Sequence, residues 1–129
     1  LRPAKSVEII LEEAIADVFG NDKKVKNVSI VSKTGLAIAG RSSEQFGGET
    51  FSAMAAIMFS SAETTRKDIL KEDTEFVMAK YKRSMLLIAE LTSDLLIAVV
   101  ADGDADQEAL LEMMRELASR AKTELTWLR

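Results

Sequence analysis

The stretch from Met85 to Ala101 constrains the fold more than any other. Two nearly continuous apolar runs, MLLIAEL and LLIAVVA, are separated only by Thr92, Ser93 and Asp94. Their length and the polar break between them favour strands over buried helix. Apolar residues at successive positions mean strands covered on both faces. A link this short makes the two strands antiparallel neighbours. The rest of the chain must then supply a layer on each side of a sheet.

The remaining segments meet that demand. Val7, Ile10, Leu11, Ala14, Ile15, Val18 and Phe19 follow the i, i+3, i+4, i+7 spacing of one buried helical stripe, with Gly20 as its stop. NVSIV and LAIAG, the second ending at Gly40, read as a hairpin about SKTG, where Gly35 is free to take positive φ. A loop, RSSEQFGG, leads to a long central helix from about Glu49 to Leu70. TEFVMAKY reads as another strand, joined to MLLIAEL by a turn around Lys82 to Ser84. After DGDAD a final helix begins, with capping-box spacing between Asp104 and Gln107 and a stripe of Leu110, Met114, Leu117, Ala121 and Leu125. The predicted order is α-β-β-α-β-β-β-α in a single domain spanning 1–129, a five-stranded antiparallel sheet with helices on both faces.

Composition removes whole classes of function. With 129 residues the chain is about the size of one domain, and it buries roughly two-thirds of its unfolded surface. A net charge of -4 argues against a general nucleic-acid binder, which needs excess cations to neutralise phosphates. There is no cysteine and no histidine. Disulfides, thiolate nucleophiles and cysteine-held metals are thereby excluded, and the commonest general base and metal ligand are missing. No catalytic, cofactor-binding or metal-binding residue is singled out, and carboxylates, lysines, hydroxyls and one tyrosine are what remains for catalysis. No apolar run reaches the eighteen or so residues of a membrane span. The first apolar stretch is interrupted by Glu8, Glu12 and Glu13, so no signal peptide is visible and a cytoplasmic protein is expected.

The central helix is the unusual element. FSAMAAIMFSSA, residues 51–62, carries no charge. At about 100° per residue, Phe51, Met54, Ile57, Met58 and Phe59 spread over roughly 200°, against the little more than 100° that one sheet-facing stripe needs. Ala55 and Ala62 lie within that arc, and Ala53, Ala56 and Ser60 keep much of the rest small. The surplus is either the burial of a monomer's innermost helix or a second contact surface, and a partner subunit is the better explanation.

Other signals are weaker. DGDADQEALLEM begins like a calcium loop, but Gln107 and Met113 stand where the turn glycine and the bidentate glutamate belong. FGGET offers a helix start to an anion without a Walker lysine. Lys23, Lys24 and Lys26 form one basic cluster and Lys80, Lys82 and Arg83 another. Such clusters are usually solvated or protect an edge, and they also suit an acidic partner or an anionic membrane. Glu90 belongs near an edge or beside a lysine, and Trp127 anchors the C-terminal tail.

With this order in place, NVSIVSKTGLAIAG, FSAMAAIMFSSAETT and the run from MLLIAEL to the final helix together resemble the roadblock/light-chain-7 family, which includes dynein light chains and small-GTPase regulators. The similarity covers about Val7 to Leu125. It implies a profilin-like α/β sandwich with one helix on one face of the sheet and two on the other. It implies a homodimer, or a heterodimer with a related roadblock chain, built from the central helix and the third strand. Carried onto this chain, the dimer interface takes Phe51, Met54, Ala55, Met58, Phe59 and Ala62 from the helix and Phe76, Met78 and Lys80 from the strand. It further implies a non-enzymatic scaffold, without chemistry of its own, for a small Ras-like GTPase or a motor or membrane-associated complex. Lys80 and Lys82 fit awkwardly on an edge that pairs with its copy: either they alternate outward, or a heterodimer with an acidic partner is preferred. The alternative function is a monomeric small-ligand sensor of PAS-like or longin-like shape, its apolar helix lining a pocket. A carboxylate hydrolase has no residue spacing in its favour.

Overall fold

The computed structural model describes residues 6–42 and 48–125. Helix α1 is Val7–Phe19, strands β1 and β2 are Val25–Ser32 and Ala37–Ser42, and helix α2 is Gly48–Thr65, followed by a π-helical turn, Arg66–Leu70. Strands β3, β4 and β5 are Val77–Lys80, Ser84–Glu90 and Leu95–Asp102, and helix α3 is Gln107–Leu125. The sheet order is β2-β1-β5-β4-β3, and each neighbouring pair is antiparallel.

The two apolar runs occupy the middle of the sheet. Their alternation divides the core into two layers, because successive side chains point to opposite faces. Met85, Leu87, Ile97, Val99 and Ala101 join Val28 and Ile30 of β1 beneath α1 and α3. Leu86, Ile88, Leu96, Ala98 and Val100 face the other way, with Val31, onto Ala55 and Phe59 of α2. Two helices therefore cover one face and one helix the other.

Local chemistry sets the element ends. The Ser6 hydroxyl accepts a hydrogen bond from the Ile9 amide at 3.2 Å and caps α1. Gly20, at φ 54°, ends it by donating its amide to Ala16 O. In the β1–β2 turn, the Gly35 amide donates to Ser32 O at 2.9 Å, with Gly35 at φ 98°.

Several boundaries differ from the sequence expectation. Strand β2 continues past Gly40 to Ser42, because Arg41 and Ser42 still pair with Val28 and Asn27, and Gly40 marks a close approach instead: a Cβ there would lie 2.9 Å from Val28 O. Pairing of β3 with β4 starts only at Val77. The central helix widens into its π turn after Thr65, and Lys71, at φ 61°, closes that turn by donating its amide to Arg66 O. The α3 cap is Asp106, whose Oδ1 accepts from the Ala109 amide at 3.2 Å, whereas Asp104 pairs with Lys24 at 3.4 Å. The expectations for Trp127 and for Phe46 and Gly47 of FGGET fall outside the described residues.

Candidate functional site

Helix α2 presents two unlike sides. Ser52, Ala55, Ala56 and Phe59 are buried on the sheet. On the far side Met54 is 49% exposed and Ile57 56% exposed, beside the uncharged Ser60 and Ser61. Three hydroxyls on this helix are absorbed by its own backbone: Ser52 Oγ donates to Gly48 O, Ser61 Oγ to Ile57 O and Thr65 Oγ1 to Ser61 O. What remains outward between Phe51 and Ala62 is apolar or small.

Ala55 and Phe59, expected in the interface, are buried against the sheet of their own protomer. They are 1% and 4% exposed, and Lys33 Nζ stands 5.9 Å from the centre of the Phe59 ring. The small side of α2 is partly used internally as well. The Gly35 turn approaches so closely that a Cβ there would lie 3.3 Å from Ala53 Cα. The surface set on the helix therefore narrows to Phe51, Met54, Met58 and Ala62, to which Ile57 must be added. Phe51 and Met58 are half-buried on the edge of the α2 layer. With Met54, Tyr81, Leu86 and Val100 they line a groove of about 360 Å³. Ala62 lies in a wider cleft of about 740 Å³ that also holds Leu70, Glu72, Asp73, Glu75 and Phe76.

Among the described residues strand β3 ends the sheet, and its outer backbone groups have no neighbouring strand there. Its side chains divide by parity. Val77 and Ala79 lie on the α2 layer. Met78 and Lys80 stand opposite Leu87 and Met85, whose side chains belong to the α1–α3 layer, and Phe76 packs there too. Met78 and Lys80 thus do not meet the helix residues on one face, whereas Phe76 also reaches the cleft that holds Ala62. The β3 backbone edge is what the two groups share. Val77 and Ala79 are the side chains beside α2, and period-two counting outward from the β4 pairing is the signal that identifies them.

The charges sort into satisfied and unsatisfied groups. Lys24 and Lys26 pair with Asp104 and Asp102, each at 3.4 Å, so two of the three lysines of that cluster are met at the end of β5 and the turn after it. Lys33 Nζ lies 2.6 Å from Glu90 Oε1. Lys80 Nζ donates to Gly103 O at 2.6 Å. Hydrogen bonds to Glu124 and then to Asp17 hold the Arg120 guanidinium above its ordinary pKa and tie α3 to α1. Lys82 and Arg83, at the β3–β4 hairpin tip, are exposed and have no acidic partner among the described residues. Among those residues no group of three acidic side chains converges as a metal site, and no helix is long and apolar enough to cross a membrane.

A family profile described as "Roadblock/LC7 domain" matches residues 11–101. No curated protein sequence matches the chain at a significant level. Among solved structures, a Roadblock/LC7 domain from Streptomyces avermitilis is similar at TM-score 0.81 and 16% identity, over 89% of this chain and 97% of that one. MglB of Myxococcus xanthus is similar at TM-score 0.78 and 11% identity, over 97% of this chain and 98% of that one. Profilin II of Acanthamoeba castellanii follows the same fold at TM-score 0.58 and 15% identity, over 86% of this chain and 94% of that one.

Proposed function

The chain belongs to the Roadblock/LC7 domain family, and on that premise we propose that it is a non-enzymatic, dimeric scaffold that binds or regulates a small Ras-like GTPase. The observation that carries the reading is the coincidence of two unpartnered features on one side of the fold. These are the apolar flank of α2, with exposed Met54 beside Phe51 and Met58, and the open backbone edge of β3. A two-fold operation that joins β3 edges covers both at once, because the groove flanked by Phe51, Met54 and Met58 opens toward the β3–β4 hairpin. The α1–α3 face then stays available on both copies. The GTPase is the partner class that the family resemblance implies. A motor or membrane-associated complex is the other partner of that kind, and the cytoplasm is the compartment in which either is met.

Sedimentation equilibrium at tens of micromolar, an ordinary affinity window, tests the assembly. A clean monomer there rules out the stable homodimer. Capture of nucleotide-loaded small GTPases by the purified protein, compared between GDP and GTP analogues, tests the partner class. No enrichment in either state counts against it. The groove also favours a second reading, a monomeric ligand sensor, since about 360 Å³ falls within the range of small-molecule sites. Native mass spectrometry showing a monomer with a bound apolar ligand would decide for that alternative.

A further inference from the structure

The edge segment of β3 is electrically polar along its length. It reads EDTEFVMAKYKR from Glu72 to Arg83. All its acids precede the strand and all its bases follow the strand's middle. Both ends are exposed. Glu72, Glu75, Lys82 and Arg83 have no ion-pair partner among the described residues, while Asp73 lies 3.8 Å from Arg66, itself held by Glu63 at 3.3 Å. The three acids line the wide cleft with Ala62, Leu70 and Phe76, and with Arg66 as its one base. The bases sit on a hairpin tip whose Tyr81 is 55% exposed.

We infer that this segment is self-complementary and selects a second copy of the same chain, the basic hairpin tip of each copy seating at the acidic cleft of the other. The inference rests on the dimer reading above and specifies its partner. Symmetry supplies the reason. Two edges pair antiparallel about a two-fold axis only when that axis is perpendicular to the sheet, which keeps each side chain on its original face. A residue of one parity must then stand opposite its own copy. With Met78 opposite Met78, Arg83 of one copy is level with Asp73 of the other. With Ala79 opposite Ala79, Arg83 is level with Glu75. Either register brings the base-rich tip to the acid-rich approach. In the first register Lys80 is level with the partner's Phe76. The two Lys80 positions are then about four residues apart along the pair, roughly 14 Å at about 3.4 Å per residue. That exceeds a Debye length of about 8 Å in physiological salt, so in this register the lysines on the edge do not oppose the homodimer; in the second they stand about two residues, roughly 7 Å, apart, which favours the first. Tyr81 gives the tip an apolar body for the Leu70 and Phe76 floor. Both α2 helices fall on the same face, and their Phe51 and Met58 flanks point toward the seam.

Charge reversal in complementary variants tests this directly. One carries Lys82→Glu and Arg83→Glu, the other Glu72→Lys and Glu75→Lys. All four positions are exposed, and both variants should keep the wild-type far-ultraviolet spectrum and unfolding transition. Each alone should dimerise about tenfold or more weakly in sedimentation equilibrium, since attraction becomes repulsion at two symmetric places. Mixed, they should recover wild-type affinity within about threefold, and native mass spectrometry should show the heterodimer in large excess over both homodimers. Wild-type affinity in both single-pool variants, or a statistical 1:2:1 mixture, overturns the inference while leaving the dimer reading in place. A monomeric wild type overturns both.

Discussion

Met54→Glu separates the seam from the core. Met54 keeps 49% of its exposure in the protomer. Full burial of such a side chain is worth about 1.5–3 kcal/mol, so covering the remaining half contributes about 0.8–1.5 kcal/mol. A two-fold interface counts it twice, giving about 1.5–3 kcal/mol, or about 10- to 100-fold in the dissociation constant. An unpartnered carboxylate forced into the same place adds a desolvation cost of several kcal/mol. The dissociation constant should therefore rise at least about 100-fold. The folded monomer should hardly notice, because glutamate and methionine have similar helix propensity and an exposed substitution usually stays within about 0.5 kcal/mol. Sedimentation equilibrium gives the first quantity, and urea unfolding at concentrations below the dissociation constant gives the second. A Met54→Glu protein that associates like the wild type refutes the assignment of this flank to the interface. Loss of association together with a large loss of monomer stability would refute the reasoning that kept seam and core apart. Met58 is a poorer probe, since it already packs half-buried against the α2 layer and a charge there disturbs both.

Phe59→Ala should act in the opposite way: this side chain is 4% exposed against the sheet, so urea unfolding should show a loss of about 3–5 kcal/mol in the protomer itself. Asp106→Ala removes the cap of α3 and should cost about 1 kcal/mol, whereas Asp104→Ala loses only a largely exposed pair with Lys24 and should cost well under 1 kcal/mol in the same assay. Gly40→Ala drives a Cβ to within 2.9 Å of Val28 O and should lower stability by about 1–3 kcal/mol, read as a reduced urea midpoint with an unchanged slope.

Much of the fold is legible in the chain because each element declares its own period. The runs around Leu87 and Val99 alternate between two buried layers, and only antiparallel central strands satisfy that with so short a link. The boundaries are less legible. Gly40 looks like a strand end until the Val28 carbonyl is seen beside it. Asp104 and Asp106 both suit a cap, and the choice falls to whichever is level with the Ala109 amide once β5 has positioned the turn. These outcomes depend on where a second element stands, which local propensity does not encode.

The candidate surface divides along the same line. The sequence by itself determined that α2 has more apolar arc than a sheet needs, and that the segment from Glu72 to Arg83 is acidic at one end and basic at the other. Both are one-dimensional properties, set by residue type and spacing. Only the tertiary structure decided which part of the arc is spent on the sheet, so that Phe59 and Ala55 became core while Met54 and Ile57 stayed outside. It alone placed β3 at the end of the sheet with Val77 and Ala79, rather than Met78 and Lys80, beside that helix. The physical reason is that a helix stripe and a strand parity each fix a direction only relative to their own axis. Packing two layers on a shared sheet turns those relative directions into one common face.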